Sequence, residues 1–123
     1  MKESTLWMWH IFAGAVIFFL LGLHMLLLHY DSILFVLGIG KENVLSAEAV
    51  FARSKEISFL VIYILLLGFA LYHGLYGLKD ILFELTLPKA LEAIVSVVLV
   101  LTGLGLFIYG TYAAIVVFGM TIV

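Results

Sequence analysis

The chain has no cysteine and one proline among its 123 residues, and only 11% of its residues are charged. The absence of cysteine excludes disulfide bonds, thiolate metal sites, iron–sulfur ligation by this chain and covalent haem attachment through a Cys-x-x-Cys-His motif. The glycine-containing segment 38–41 lacks the spacing of a phosphate-binding loop. A net charge of −2 gives no indication of nucleic-acid binding.

The dominant feature of the composition is hydrophobicity, since 66% of the residues are apolar and the mean hydropathy is +1.31. Soluble domains have about half apolar and about a quarter charged residues. The chain is therefore predicted to be an all-α integral membrane protein with a single domain over residues 1–123. Three apolar stretches, at about 6–28, 57–78 and 91–118, each have the ~20 residues that a helix needs to cross a bilayer.

The connection between the first two spans is less apolar than the spans themselves. Residues 33–39 are too few to cross the bilayer and are expected at the membrane interface. Ser46 and Glu48 are residue types favoured at a helix N-cap and in the first helical turn. Apolar residues then follow at helical spacing, which predicts an interfacial amphipathic helix between helices one and two.

One face of the second span combines a histidine with small and acidic residues. His73 lies in a strongly apolar stretch, and Gly77 follows one helical turn later. Neutral imidazole is a strong iron ligand, and Gly77 would leave room beside the ring for a flat macrocycle. A histidine that hydrogen-bonds to a neighbouring helix is the simpler alternative. Asp80 and Glu84 share this face, and either relay protons to a quinone or mark the water boundary.

The first span contains two further histidines. His24 lies about 27 Å along the helix from Leu6, and either ligates a second haem or hydrogen-bonds to a neighbouring helix. His10 either contacts a haem propionate or a quinone, or belongs to an aromatic belt beside two tryptophans. His29, close to the end of the span, is expected to be solvated.

The third span carries a row of small residues at seven-residue spacing, namely Ser96, Gly103 and Gly110. Such a row allows another helix to approach closely. The row fits a contact within this chain and a contact with another subunit equally well. A haem with two axial ligands usually needs four helices around it, which favours a second membrane subunit.

Together these features resemble the small hydrophobic anchor subunit of succinate dehydrogenase or fumarate reductase, respiratory complex II. The strongest part of the resemblance is His73-x3-Gly77-x6-Glu84, where the family has a haem-ligating histidine, a glycine and an acidic residue. The segments Glu48–Arg53 and Ile108–Thr111 also resemble the family. The three motifs follow the family's order and spacing over nearly the whole chain.

The resemblance implies a membrane anchor and electron-transfer subunit that is not itself the dehydrogenase. Such a subunit shares b-type haem, one or two, with a second membrane anchor subunit. It passes electrons between an iron–sulfur subunit and a quinone, menaquinone or ubiquinone, while a flavoprotein subunit carries out the dicarboxylate chemistry. His73 would be an axial haem ligand, His24 the ligand of a second haem, and Glu84 and Asp80 would lie near the quinone.

The orientation in the membrane also comes from the resemblance. The positive-inside rule decides nothing, because three basic residues on one side (Lys2, Lys79 and Lys89) balance three on the other (Lys41, Arg53 and Lys55). The family topology places the N-terminus on the side of the flavin and iron–sulfur subunits. This implies a prokaryotic cytoplasmic membrane with the N-terminus in the cytoplasm.

Two positions depart from the family pattern. Members with a single haem have a tyrosine after the acidic residue, where this chain has Leu85, and many have an arginine early in helix one, where this chain has His10. Leu85 puts in question the chain's part in a quinone site on that side. Two alternatives stay open, namely a haem-free structural anchor that docks the catalytic subunits and an unrelated small transporter or assembly protein.

Overall fold

The computed structural model describes residues 2–39 and 55–120, together with the single positions 48 and 52. Within the two described segments the chain forms three helices: α1 (Glu3–Val36), α2 (Ile57–Phe83) and α3 (Lys89–Gly119). All three are long and apolar enough to cross a membrane. The predicted all-helical fold with three helices long and apolar enough to span a membrane is therefore confirmed over the described segments, whereas the predicted interfacial helix falls outside them.

Helix α1 is longer than the predicted span, with 34 residues and a length of about 51 Å. No glycine or proline interrupts residues 23–37. The segment 33–39, expected at the interface, therefore begins as the last turn of α1. The helix ends because Gly38 adopts a φ of +75°, and the amide of Ile39 then donates to the carbonyl of Leu34.

Helix α2 lies between α1 and α3 and runs antiparallel to both. His10 pairs with His73 and His24 with Tyr63, so residue numbers rise along α1 as they fall along α2. Over the described segments α1 packs on α2 and α2 packs on α3, but α1 and α3 do not pack on each other. The three helices therefore form a row rather than a closed bundle.

The chain buries few of its own side chains. Ala13, Phe59 and Tyr76 are the buried residues of the described segments. The helices are apolar around their whole circumference, which is typical of helices surrounded by other apolar material. Their exposed apolar surfaces are compatible with contact to a lipid bilayer.

The glycines of the small-residue row in α3 pack within this chain. A Cβ atom added at Gly103 would lie 2.8 Å from Leu75 Cδ1, and one added at Gly110 would lie 2.5 Å from Leu67 Cδ2. Both distances are shorter than van der Waals contact, so these glycines allow α2 to approach α3 closely. Of the two interpretations of the row, contact within the chain is the one observed here for Gly103 and Gly110.

Candidate functional site

Two imidazole rings lie face to face between α1 and α2. The ring centroids of His10 and His73 are 4.2 Å apart, and the ring planes differ by 1°. Nδ1 of His73 lies 3.0 Å from the backbone carbonyl oxygen of His10. A carbonyl oxygen only accepts hydrogen bonds, so Nδ1 of His73 carries the proton, and Nε2 of the neutral ring keeps its lone pair. We call this pair the histidine stack.

Each ring of the histidine stack rests on a glycine of the opposite helix. A Cβ added at Gly14 would lie 2.9 Å from His73 Cε1, and one added at Gly77 would lie 3.2 Å from His10 Cε1. His10 and Gly14, like His73 and Gly77, form a His-x3-Gly unit. The two units interlock because their helices are antiparallel.

Sequence reasoning singled out three members of these units but missed Gly14. The signal that could have found it is the repeated His-x3-Gly spacing in two different spans. Within this chain the space beside Gly77 is taken by the His10 ring. Room there for a macrocycle stays a prediction.

His10 differs from His73 in its hydrogen bonding. Nδ1 of His10 is buried and has no hydrogen-bond partner among the described residues. An unsatisfied buried polar group costs about 1–3 kcal/mol. The ring also packs against the buried Tyr76, with ring centroids 5.1 Å apart. The described contacts of the His10 ring are thus with residues of this chain, and its contact with a propionate or quinone stays a prediction.

A charged cluster joins the N-terminal end of α1 to the C-terminal end of α2. Lys79 Nζ lies 3.4 Å from the carboxylate of Glu3 and 3.8 Å from that of Asp80. The same ammonium group lies 5.0 Å from the ring centroids of Tyr76 and Phe83, within reach of a cation–π interaction. Such a cluster of charged groups is typical of the membrane–water interface, so this end of α1 and α2 is suited to that position.

An open depression of about 640 Å³ lies at this charged end. Its lining combines carboxylates with aromatic rings: Glu3, Ser4, Trp7, Tyr76, Asp80, Phe83 and Glu84. Asp80 and Glu84, the residues predicted near a quinone, thus line one surface. Tyr76 belongs to this surface and also contacts His10, so it connects the depression to the histidine stack.

His24 lies apart from the histidine stack. Its ring centroid is 5.1 Å from that of Tyr63 in an edge-to-face arrangement, and its Nδ1 is buried without a hydrogen-bond partner in the described part of the chain. Tyr63 precedes His73 by 10 residues, a distance of about 15 Å along α2. His29 is exposed.

The described residues bring together no group of three or more histidine, aspartate or glutamate side chains placed so that they could hold a metal ion. A metal ion held by protein side chains alone usually needs such a group. A haem needs only one or two axial ligands, because the porphyrin supplies the remaining nitrogens. A single histidine such as His73 could therefore hold a haem without such a group.

Comparison with known proteins identifies no relative. No protein-family model, no curated protein and no solved structure matches this chain. The resemblance to the complex II anchor subunits therefore rests on its sequence motifs.

Proposed function

We propose that this chain is the membrane anchor and electron-transfer subunit of a succinate:quinone oxidoreductase or quinol:fumarate reductase, with His73 as an axial ligand of b-type haem. The observation that carries the proposal is the hydrogen bond of His73. This half-buried imidazole in a membrane span donates its Nδ1–H to a backbone carbonyl. Metal-binding histidines almost always donate their second ring N–H in this way. The free Nε2 lone pair is then the one available to iron.

The face-to-face contact in the histidine stack is compatible with an iron bond at His73. An imidazole nitrogen binds a metal through a lone pair in the ring plane, whereas His10 covers the face of the ring. Because it covers the ring face of His73, His10 would not hold the iron together with His73. The second ligand would come from a second membrane anchor subunit. When bound, b-type haem supplies a one-electron carrier.

The charged end of α1 and α2 supports the proposal that the iron–sulfur and flavoprotein subunits dock on the N-terminal side of the chain. The carboxylates of Asp80 and Glu84 line an open depression next to the histidine stack. Carboxylates at a water boundary can deliver protons to a quinone that is being reduced. The iron–sulfur and flavoprotein subunits would dock at this end, on the cytoplasmic side of a prokaryotic membrane, and the quinone would be menaquinone or ubiquinone.

A visible difference spectrum, reduced minus oxidised, tests the main proposal on the complex purified through a tag on this chain. His73→Ala is expected to remove one b-haem signal while the spans stay inserted. His29→Ala is the matched control, because His29 is exposed and should leave the spectrum unchanged. Unchanged haem content in His73→Ala would exclude the ligand role. A wild-type complex without haem would favour the haem-free anchor.

A second haem at His24 is a finer part of the proposal. Its support is a half-buried ring against Tyr63 with a buried, unpartnered Nδ1, about 15 Å along the helix from the histidine stack. His24→Phe keeps a ring against Tyr63 and should remove one of two b-haem signals. A yield of one haem per complex, equal in wild type and variant, would leave His73 as the only ligand in this chain.

A further inference from the structure

We infer that His10 is a positioning residue for His73, and that the two His-x3-Gly units form one device that holds His73 in a single tautomer and ring orientation. This inference rests on the proposed function only where it names iron as the target of His73. The device itself belongs to this chain and is built from residues of α1 and α2 alone.

The two units are alike in sequence but differ in hydrogen bonding. His73 donates from Nδ1 to the carbonyl of His10 over 3.0 Å, whereas Nδ1 of His10 has no partner among the described residues. A metal-binding histidine needs one ring nitrogen that donates a hydrogen bond and so orients the ring, and another nitrogen whose lone pair is free. The asymmetry therefore assigns the ligand role to His73 and the supporting role to His10.

Gly14 leaves the backbone carbonyl of His10 accessible as the hydrogen-bond acceptor of His73. In an α-helix the amide of residue i+4 bonds to the carbonyl of residue i, so Gly14 is the residue beside the His10 carbonyl. That oxygen has two lone pairs, and the second stays accessible only while no side chain covers it. A Cβ at Gly14 would lie 2.9 Å from Cε1 and 3.2 Å from Nδ1 of His73. A side chain at this position would therefore displace the ring from its acceptor.

The His10 ring restricts the rotation of His73. The parallel contact at 4.2 Å allows the observed ring plane, but a turn about the Cβ–Cγ bond would drive an edge of His73 into the face of His10. His10 is itself held, because it lies over Gly77 and against Tyr76. The hydrogen bond and the histidine stack thus select the same orientation of His73.

Ring ¹⁵N NMR of the histidine-labelled full chain in lipid nanodiscs reads the tautomer directly, because protonated and unprotonated ring nitrogens have well separated shifts. His73 is assigned by the signals lost in His73→Phe. We expect one Nδ1–H tautomer in wild type and loss of that single signal in Gly14→Ala. Gly74→Ala is the matched control, since a Cβ there would meet no described atom of another helix within 4 Å, and it should keep the wild-type spectrum.

Two substitutions of His10 distinguish the effect of its ring from the effect of its backbone carbonyl, because both variants keep the carbonyl. His10→Phe retains a flat ring and should preserve the Nδ1–H tautomer, whereas His10→Leu lacks one and should give a mixture of tautomers. In the purified complex, His10→Phe should also keep the b-haem signal that His73→Ala removes.

Three results would overturn the inference. The first is a wild-type His73 protonated at Nε2, a result that does not depend on how the Gly14 and His10 variants fold. The second is a Gly14→Ala spectrum equal to that of Gly74→Ala. The third is loss of haem in His10→Phe as complete as in His73→Ala, which would make His10 a ligand. The NMR readout needs no haem, so haem content insensitive to His73→Ala would end the proposed function and leave the positioning result standing.

Discussion

The contact between α1 and α2 is polar and aromatic, whereas the contact between α2 and α3 is made by glycines against large apolar side chains. Three side-chain hydrogen bonds join α1 to α2, from Tyr72, His73 and Lys79. Across α2 and α3, Gly68 meets Phe107, and Gly110 meets Leu67. Among the described residues no side-chain hydrogen bond crosses this second contact.

The difference follows from the physics of helix association in lipid. Lipid chains are as apolar as the side chains, so helices associate through close van der Waals packing or through polar contacts rather than by the hydrophobic effect. The α2–α3 contact relies on close van der Waals packing, whereas the α1–α2 contact combines close packing with polar contacts. We therefore expect substitutions between α2 and α3 to change stability without changing the state of His73. Substitutions at the α1–α2 contact should change the tautomer or the ring orientation of His73.

The largest stability effect is expected at Gly110. Gly110→Leu places a large side chain where even a Cβ would lie 2.5 Å from Leu67, and overpacking typically costs about 1–3 kcal/mol. Gly105→Leu is the control, because a Cβ at Gly105 meets no described atom of another helix within 4 Å. Denaturant unfolding in mixed micelles measures both variants. Equal midpoints would show that the close approach of α3 does not contribute to stability, and a changed His73 tautomer would break the separation between the two contacts.

A smaller effect is expected for the tyrosine hydrogen bond between α1 and α2. Tyr72→Phe removes the bond of 2.9 Å that the hydroxyl donates to the Leu6 carbonyl, which is worth about 0.5–1.5 kcal/mol. Tyr109→Phe removes a hydroxyl from a tyrosine that is 72% exposed and should change little. The same unfolding measurement compares the two variants. A loss in Tyr72→Phe no larger than in the control would contradict the prediction.

The smallest effect is expected for the ion pair between Glu3 and Lys79. The Glu3 side chain is 80% exposed, so Glu3→Gln should cost only about 0.2–1 kcal/mol. Added salt screens the interaction of exposed charges, and the difference from wild type should therefore shrink as ionic strength rises. Denaturant unfolding at low and high salt tests whether the stability difference between Glu3→Gln and wild type shrinks as expected. A cost that does not depend on salt would mean that Glu3 acts through packing.

The residues of the site show how far sequence reasoning reached. His73 was conspicuous because an imidazole is costly in an apolar span, and Gly77 followed from helical spacing. Gly14 was missed although its spacing from His10 repeats that of Gly77 from His73. Tyr63 and Tyr76 carried no signal, since an aromatic residue in a membrane helix faces lipid and protein equally well. The small-residue row of α3 was recognised, but its partner helix was not.

The sequence by itself determined that this protein is helical and has three spans long enough to cross a bilayer. Length and hydropathy suffice for that, because lipid tolerates only internally hydrogen-bonded backbone over a stretch of about 20 apolar residues. Only the tertiary structure decided that His10 covers His73, that Gly14 opens the His10 carbonyl and that α3 packs on α2. Helices that are apolar on every side do not reveal which face meets a neighbour, and the depth at which two helices match depends on the packing of particular side chains.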